Sequence, residues 1–248
     1  MSIISYTFTV NGIERTTDEK KPLLRYLRDD LKLYSVKDGC SEGACGTCTI
    51  VVDGYAVKAC VLTTERAVGK NIITVEGLSL REKEAFVYAF GTAGSVQCGF
   101  CIPGMVMAGK ALIDRNPDPT EDEIKKAIRG NICRCTGYKP LVDAVMDAAR
   151  VYRGEISKED LIFKPTGDSI IGTKYVRPSA AAKVMGTWDF GADDALKMPE
   201  GTLRLALVQA KVSHALIKGV DTSEAEKMPG VEGIITAKDI VAAGGKNR

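Results

Sequence analysis

The sequence lacks the features that mark several classes of protein. Its 34 Lys and Arg residues nearly balance its 32 Asp and Glu residues, so the net charge of +2 gives no basic surface of the kind that binds nucleic acid. No run approaches the roughly 18 apolar residues that a membrane span needs. The N-terminus has neither a basic segment nor a long apolar one, and it does not resemble a secretory signal. We therefore expect a cytoplasmic protein whose partners include neither nucleic acid nor a membrane.

Histidine and tryptophan each occur only once. His214 lies in a strand-like segment and has no cysteine or carboxylate partner there, so we interpret it as structural rather than catalytic. Trp188 is interpreted as a packing residue. No catalytic residue is predicted within this sequence.

Cysteine is the residue that carries the strongest pattern. Without a signal for export, eight cysteines are better explained as metal ligands than as disulfides. The first four follow a C-x4-C-x2-C order with one distant ligand, which is the spacing of plant-type [2Fe–2S] ferredoxins. They are Cys40, Cys45, Cys48 and Cys60. Structural zinc is the alternative, although zinc sites more often use paired C-x2-C knuckles.

Glycines interrupt this first cysteine loop at Gly39, Gly43 and Gly46. Glycine adopts positive φ and lets the backbone wrap closely, so we expect these positions to aim N–H groups at the sulfurs.

The other four cysteines form two close pairs, Cys98 with Cys101 and Cys133 with Cys135. The stretch between the pairs is predicted to be helical and can fold back to bring the four thiolates together. Each pair precedes a predicted helix, and helix N-termini favour anionic ligands such as a cluster. Arg134 either offsets cluster charge or is a plain surface residue, and Phe100 is interpreted as core packing.

Periodicity predicts an α+β domain over residues 1–76. Strands are expected at residues 3–10 and 13–17 around the Asn11-Gly12 turn, and at 49–52 and 56–57 around Asp53-Gly54. A helix is expected from Pro22, and a last strand at 72–75.

Four helices are predicted over residues 77–153, as a small bundle. The first covers residues 78–94, and the second starts at Pro103, has an apolar side and ends before Asn116. The third follows a capping box at Thr120, and the fourth starts at Pro140. Residues 154–172 are polar and are predicted to be a linker.

The order of these motifs resembles a known family. A C-x4-C-x2-C…C domain followed by QCGFC-x-P-G and C-R-C-T-G-Y is similar to the iron–sulfur half of the xanthine oxidase family of molybdenum hydroxylases. The resemblance covers residues 1 to about 153. It implies a ferredoxin-like β-grasp domain with the outer [2Fe–2S] cluster, then a helical domain with a second cluster beside a molybdenum pyranopterin. It also implies that Gln97 and Cys135 contact the pterin.

Residues 173–248 look like the opening of the family's α/β molybdenum-binding half, including a strand from Leu203 to Ala210. The short linker leaves no room for a flavin domain, so we expect no FAD. The layout is similar to the flavin-free aldehyde oxidoreductases, which oxidise aldehydes to carboxylic acids with oxygen from water. We expect the catalytic remainder of the molybdenum-binding polypeptide to lie outside this truncated sequence.

The same resemblance implies a pyranopterin in its cytosine dinucleotide form and a homodimer. It also implies a ferredoxin- or flavodoxin-like acceptor for the electrons that leave the outer cluster. The alternative function is an iron–sulfur electron-transfer subunit of a multi-chain hydroxylase that acts on a purine or another N-heterocycle.

Overall fold

A computed structural model describes residues 5–164, 167, 171 and 175–246. It divides the chain into two compact units, Met1–Asp193 and Asp194–Arg248. All eight cysteines belong to the first unit and are free thiols. Residues 3 and 4 of the first predicted strand lie outside the described residues.

Five strands form one mixed sheet in the order β2-β1-β5-β3-β4, with β1 and β5 parallel and the other neighbours antiparallel. The strands are β1 (Tyr6–Val10), β2 (Ile13–Thr17), β3 (Thr49–Val52), β4 (Tyr55–Lys58) and β5 (Asn71–Ile73). Both hairpin turns have positive φ at their two central residues, Asn11 with Gly12 and Asp53 with Gly54, as type I′ turns require. The two predicted hairpins are confirmed, and the last strand ends two residues earlier than predicted.

One short helix covers the sheet. α1 (Leu23–Arg25) continues as a π-helical stretch, Tyr26–Asp30. Leu23, Leu24 and Leu27 are buried against the sheet side chains. The helix predicted from Pro22 is therefore confirmed.

Four longer helices follow, as predicted: α2 (Leu80–Thr92), α3 (Ile102–Arg115), α4 (Glu121–Ile128) and α5 (Lys139–Tyr152). The capping box between Thr120 and Glu123 forms as predicted at the start of α4. A second capping box, between Ser79 and Glu82, opens α2 and was not anticipated. Each box satisfies backbone N–H groups that would otherwise lack partners.

The predicted apolar side of α3 is buried, and the burial extends to nearly every other side of the helix. It packs against β3, β4, α4 and α5. Two glycines permit this, since a Cβ at Gly104 would lie 2.6 Å from the Gly46 carbonyl oxygen and one at Gly109 would lie 3.1 Å from Val145. The buried Lys110 is neutralised by Glu82, at 2.9 Å, and by Asp114.

Residues 180–193, which we call the strap, run back over this core. The strap contains α6 (Ala180–Val184) and ends in the first turn of α7 (Gly191–Lys197). Ala180 and Val184 are buried in the helical core. At Gly186 the chain approaches Ser35 so closely that a Cβ would lie 2.4 Å from its Cβ. The strap thus packs on both the helices and the loop that precedes the first cysteines.

Within the second unit, the structure describes residues 194–246. They contain the end of α7, a 3₁₀ turn at Ala225–Lys227 and α8 (Ala237–Ala242). The strand predicted from Leu203 to Ala210 is wrong, since this stretch is irregular and Leu205 is 82% exposed. A strand needs a hydrogen-bonded neighbour, and none pairs with it within residues 194–246. His214 is likewise exposed and outside any strand.

Throughout the described ranges, no helix is both long enough and apolar enough to cross a membrane.

Candidate metal centres

The first cysteine quartet is built on the loop between the π-helical stretch and β3. Cys60 joins it from the 3₁₀ turn Ala59–Val61 that follows β4. The thiols interact as two pairs, Cys40 with Cys45 and Cys48 with Cys60. The spacing therefore brings all four predicted ligands of this group together.

Backbone N–H groups point at two of these sulfurs. The amides of Glu42 and Cys45 each lie 3.4 Å from Cys40 Sγ, and the amide of Gly43 donates to Cys60 Sγ at 3.2 Å. The Cys45 and Glu42 amides lower the pKa of Cys40 to about 7. The thiolate is the form that binds metal, so this loop favours the ligand form of Cys40.

The predicted role of the glycines is only partly right. Gly43 and Gly46 have positive φ, at 77° and 73°. Gly39 does not. Glycine is needed there because a Cβ would lie 2.8 Å from Thr47 Oγ1 and 3.0 Å from Cys45 Sγ.

Deep in this loop, burial raises the pKa of Cys48 to about 12.

The second quartet is assembled by two helix entrances. Cys101 is the residue before α3, and Cys133 and Cys135 precede α5. The thiols again interact as two pairs, Cys101 with Cys133 and Cys98 with Cys135. Cys101 and Cys133 are buried, whereas Cys98 and Cys135 are exposed. The four predicted ligands of this group also come together.

Side chains support the buried half of this quartet. Burial raises the pKa of Cys101. At Cys133 burial acts in the same direction, but the Thr136 hydroxyl at 3.2 Å and nearby backbone N–H groups lower its pKa overall. The Cys133 amide donates to the Tyr138 hydroxyl at 3.0 Å. Tyr138 itself has a φ of 68°, a conformation that costs a bulky residue energy.

The segment before Cys133 is hydrogen-bonded to main-chain carbonyls of the first cysteine loop. The Ile132 amide donates to the Cys45 carbonyl at 2.8 Å, and the Asn131 side chain donates to the Gly46 carbonyl at 2.8 Å. A Cβ at Gly46 would lie 2.3 Å from the Gly130 carbonyl oxygen. A residue next to Cys133 is thus hydrogen-bonded directly to a residue of the first quartet.

The donor set fits a dinuclear cluster. A [2Fe–2S] cluster uses four thiolates, and each quartet offers two interacting pairs of thiols together with N–H or O–H donors near the sulfurs.

Other predicted residues lie close to the second quartet. Gln97 is exposed and adjoins Cys98, whose thiol interacts with that of Cys135. Arg134 is exposed. Phe100 is half-buried, and its ring packs edge-on against Phe190 of the strap at 5.1 Å between centroids.

Sequence reasoning missed a buried ion cluster that anchors the strap. Asp193 accepts from Arg28 at 2.6 Å and from Lys37 at 2.8 Å, and all three side chains are almost fully buried. Burial acts to raise the pKa of Asp193, but the two cationic partners lower it overall. The partners are more than 150 positions apart in the chain, so no local pattern signals the contact.

Two domain families match the chain. Residues 8–71 match a 2Fe-2S iron-sulfur cluster binding domain, and residues 74–146 match a [2Fe-2S] binding domain. The chain therefore contains two iron–sulfur binding regions, and each includes one cysteine quartet.

Individual relatives extend the match. The chain is 51% identical to the aldehyde oxidoreductase of Megalodesulfovibrio gigas over 99% of its own length and 28% of that protein. It is 46% identical to the nicotinate dehydrogenase small FeS subunit of Eubacterium barkeri, over 58% of this chain and 94% of that one. The crystal structure of the aldehyde oxidoreductase from Desulfovibrio desulfuricans ATCC 27774 is similar with a TM-score of 0.86 and 50% identity, over 95% of this chain and 27% of that one.

The chain thus spans a little over a quarter of the aldehyde oxidoreductases that it matches, and it covers nearly all of a small iron–sulfur subunit. With two matched cluster domains and these identities, the chain belongs to the xanthine oxidase family of molybdenum hydroxylases.

Proposed function

We propose that this chain is the iron–sulfur electron-transfer portion of a molybdenum-dependent aldehyde oxidoreductase, in which aldehydes become carboxylic acids with oxygen from water. The observation that carries the proposal is 51% identity to an aldehyde oxidoreductase along 99% of this chain, beyond both iron–sulfur regions. When bound, each [2Fe–2S] cluster carries one electron at a time.

All eight cysteines are proposed as ligands. The interactions between thiols support one pair for each iron, namely Cys40 with Cys45 and Cys48 with Cys60 in the first cluster. The corresponding pairs in the second cluster are Cys98 with Cys135 and Cys101 with Cys133.

The exposed side of the second quartet is proposed to face the pterin, through Gln97 and Cys135. Its support is the exposure of Cys98 and Cys135 beside Gln97, whereas Cys101 and Cys133 are buried. The hydrogen bond from the Ile132 amide to the Cys45 carbonyl provides a short connection between the two cluster sites. The exposed loop residues Ser41, Glu42 and Ala44 leave the first site accessible to an external carrier.

The domains are proposed as a β-grasp ferredoxin-like domain over 1–76, a helical domain over 77–153, a linker over 154–172 and the start of an α/β molybdenum-binding domain over 173–248. The five-stranded mixed sheet and the four helices support the first two. The further partners are the remainder of the molybdenum-binding polypeptide, a second copy in a homodimer and a ferredoxin- or flavodoxin-like acceptor. The proposal also includes a cytosine dinucleotide form of the pterin, no FAD and a cytoplasmic location.

A second candidate is the iron–sulfur subunit of a multi-chain hydroxylase for a purine or another N-heterocycle. It is favoured by the 46% identity to a nicotinate dehydrogenase small FeS subunit. The two candidates differ over residues 194–246. The match to the aldehyde oxidoreductase includes this stretch, whereas the small FeS subunit is matched over 94% of its own length without it.

Low-temperature EPR of the dithionite-reduced enzyme, with iron and molybdenum analysis, tests the proposal. We expect two distinct [2Fe–2S] signals, broadening from a nearby Mo(V), and turnover of aldehydes but not of nicotinate or purines. Turnover of an N-heterocycle alone would support the second candidate. A folded protein supplied with iron and sulfide that gives no cluster signal would contradict both.

A further inference from the structure

Three lysines are buried among the described residues, and one of them differs from the other two. Lys37 is paired with Asp193, and Lys110 with Glu82 and Asp114. Lys183 of the strap is 8% exposed. Over the ranges that the structure describes, no carboxylate lies within ion-pair distance of it. A buried ammonium without a counter-charge is costly. A negatively charged group bound beside Lys183 would offset that cost.

Lys183 contacts the residues on either side of Cys98, a member of the second cysteine quartet. Its Nζ donates to the Gln97 carbonyl oxygen at 2.9 Å. Its aliphatic stem covers Gly99, where a Cβ would lie 2.5 Å from Lys183 Cδ. Gln97 and Gly99 are the two neighbours of Cys98. The lysine therefore holds the main chain on both sides of one proposed ligand.

The strap fixes Lys183 in this position. The ammonium lies 5.0 Å from the centre of the Trp188 ring, a cation–π contact that supplies no negative charge. Farther along the strap, Phe190 packs on Phe100, which is two residues beyond Cys98. Asp193 then secures the end of the strap between two buried cations.

We infer that Lys183 is a positioning residue of the second cluster and supplies a fixed positive charge beside it. This inference rests on the proposed function, because it requires a cluster on Cys98. A cluster held by four thiolates is anionic, and reduction adds one more negative charge. A nearby buried ammonium stabilises the reduced state more than the oxidised state, since a fixed charge in a poorly solvated position acts strongly. Lys183 thereby favours electron transfer onto the second cluster.

The test is an EPR-monitored redox titration of both clusters in the cluster-loaded holoenzyme. Lys183→Met removes the charge and the hydrogen bond but keeps the length of the stem. We expect the reduction equilibrium of the second cluster to shift about tenfold toward the oxidised form, which is about 59 mV for one electron. The first cluster should keep its potential. Lys183→Arg retains the positive charge, so the potential of the second cluster should stay close to that of the unaltered enzyme.

The matched control is Lys139→Met. Lys139 also lies near the second quartet, four positions after Cys135, but its side chain is 69% exposed and paired with Asp143. Its loss should barely move either potential, because solvent and salt screen an exposed charge. The shift caused by Lys183→Met should persist from low to high salt.

If Lys183→Met fails to hold the second cluster, Lys183→Gln retains an N–H donor for the Gln97 carbonyl without the charge. A lowered potential in that variant supports the inference. An unchanged second potential in a loaded Lys183→Met or Lys183→Gln enzyme overturns it, as does an equal shift of both clusters. The absence of two cluster signals in the unaltered enzyme would instead contradict the proposed function.

Discussion

The two cysteine quartets hold their thiols by different means. The first is formed mainly by one loop, and the amides of that loop donate to its sulfurs. The second joins two pairs from the entrances of α3 and α5, and the strap covers one of them. The first site is thus largely local, whereas the second depends on the packing of helices that are distant in sequence.

This difference predicts that each site can be lost alone. Cys48→Ser should remove the first cluster and leave the second, while Cys135→Ser should do the reverse and stop turnover. Each variant should retain about half of the iron, because a [2Fe–2S] cluster needs its thiolates. Iron analysis and EPR measure this directly. Loss of both signals in either variant would show that the sites are not independent.

The next largest effect is expected at the end of the strap. Asp193→Asn leaves Arg28 and Lys37 buried without their counter-charge. Breaking such a cluster costs about 3–5 kcal/mol, so the free energy of unfolding in urea should fall by that amount. Asp143→Asn is the control, since solvent and salt screen its exposed pair with Lys139 and little stability depends on that pair. Equal losses in both variants would contradict the assignment.

The contribution of Asp193 also depends on pH. Its cationic partners outweigh burial and depress its pKa in the folded protein. A depressed pKa gives stability above the unfolded value of about 3.9, and that stability is lost as the pH falls. The difference in unfolding free energy between the unaltered protein and Asp193→Asn should therefore shrink below about pH 4. A difference that grows in acid would contradict this linkage.

A third test concerns the contact between the two sites. Gly46→Ala would place a Cβ 2.3 Å from the Gly130 carbonyl oxygen, whereas Gly54→Ala meets nothing within 4 Å. Both glycines have positive φ, so both variants carry similar backbone strain. Only Gly46→Ala should push the sites apart and weaken the magnetic interaction between the two reduced clusters in EPR. An undisturbed interaction in Gly46→Ala would show that the close contact is not required.

The five-stranded sheet and the first cysteine quartet could be predicted largely from sequence. Turn pairs such as Asn11-Gly12 and cysteine spacing within one loop are local signals. The four helices were equally accessible through their periodicity and, at Thr120, through a capping box. The burial of α3 on nearly every side could not be predicted, because it depends on the close contacts at Gly104 and Gly109, which only the packed structure reveals.

The strap could not be predicted for a related reason. Lys183 and Asp193 look like ordinary surface charges in the sequence, and their partners lie 86 and more than 150 positions away. Leu203 to Ala210 shows the opposite failure, in which a local alternation predicts a strand that has no hydrogen-bonded neighbour in the second unit's described residues.

The smallest predicted effect is on the reduction potentials of the two clusters, through the hydroxyl groups of two threonines that lie beside cysteine sulfurs. Thr136 accepts from the Tyr138 amide, so its own hydrogen is available to Cys133 at 3.2 Å. The Thr47 hydroxyl lies 3.3 Å from Cys45 Sγ but also donates to the Lys37 carbonyl at 3.2 Å. A net hydrogen bond of about 1 kcal/mol corresponds to roughly 40 mV for one electron.

Thr136→Val should therefore lower the potential of the second cluster by up to roughly this amount. Thr47→Val should lower that of the first cluster by less. A redox titration of both variants measures the two shifts. A larger shift in Thr47→Val would contradict the assignment of the donors.

The main-chain contact between the sites also has a consequence for how this protein can change. A hydrogen bond from the Ile132 amide to the Cys45 carbonyl survives nearly any change of side chain at either position. The constraint falls instead on the glycines at 46 and 104, where the backbones leave no room for a Cβ. The spacing between the two cysteine quartets is thus insensitive to most changes of side chain around this contact.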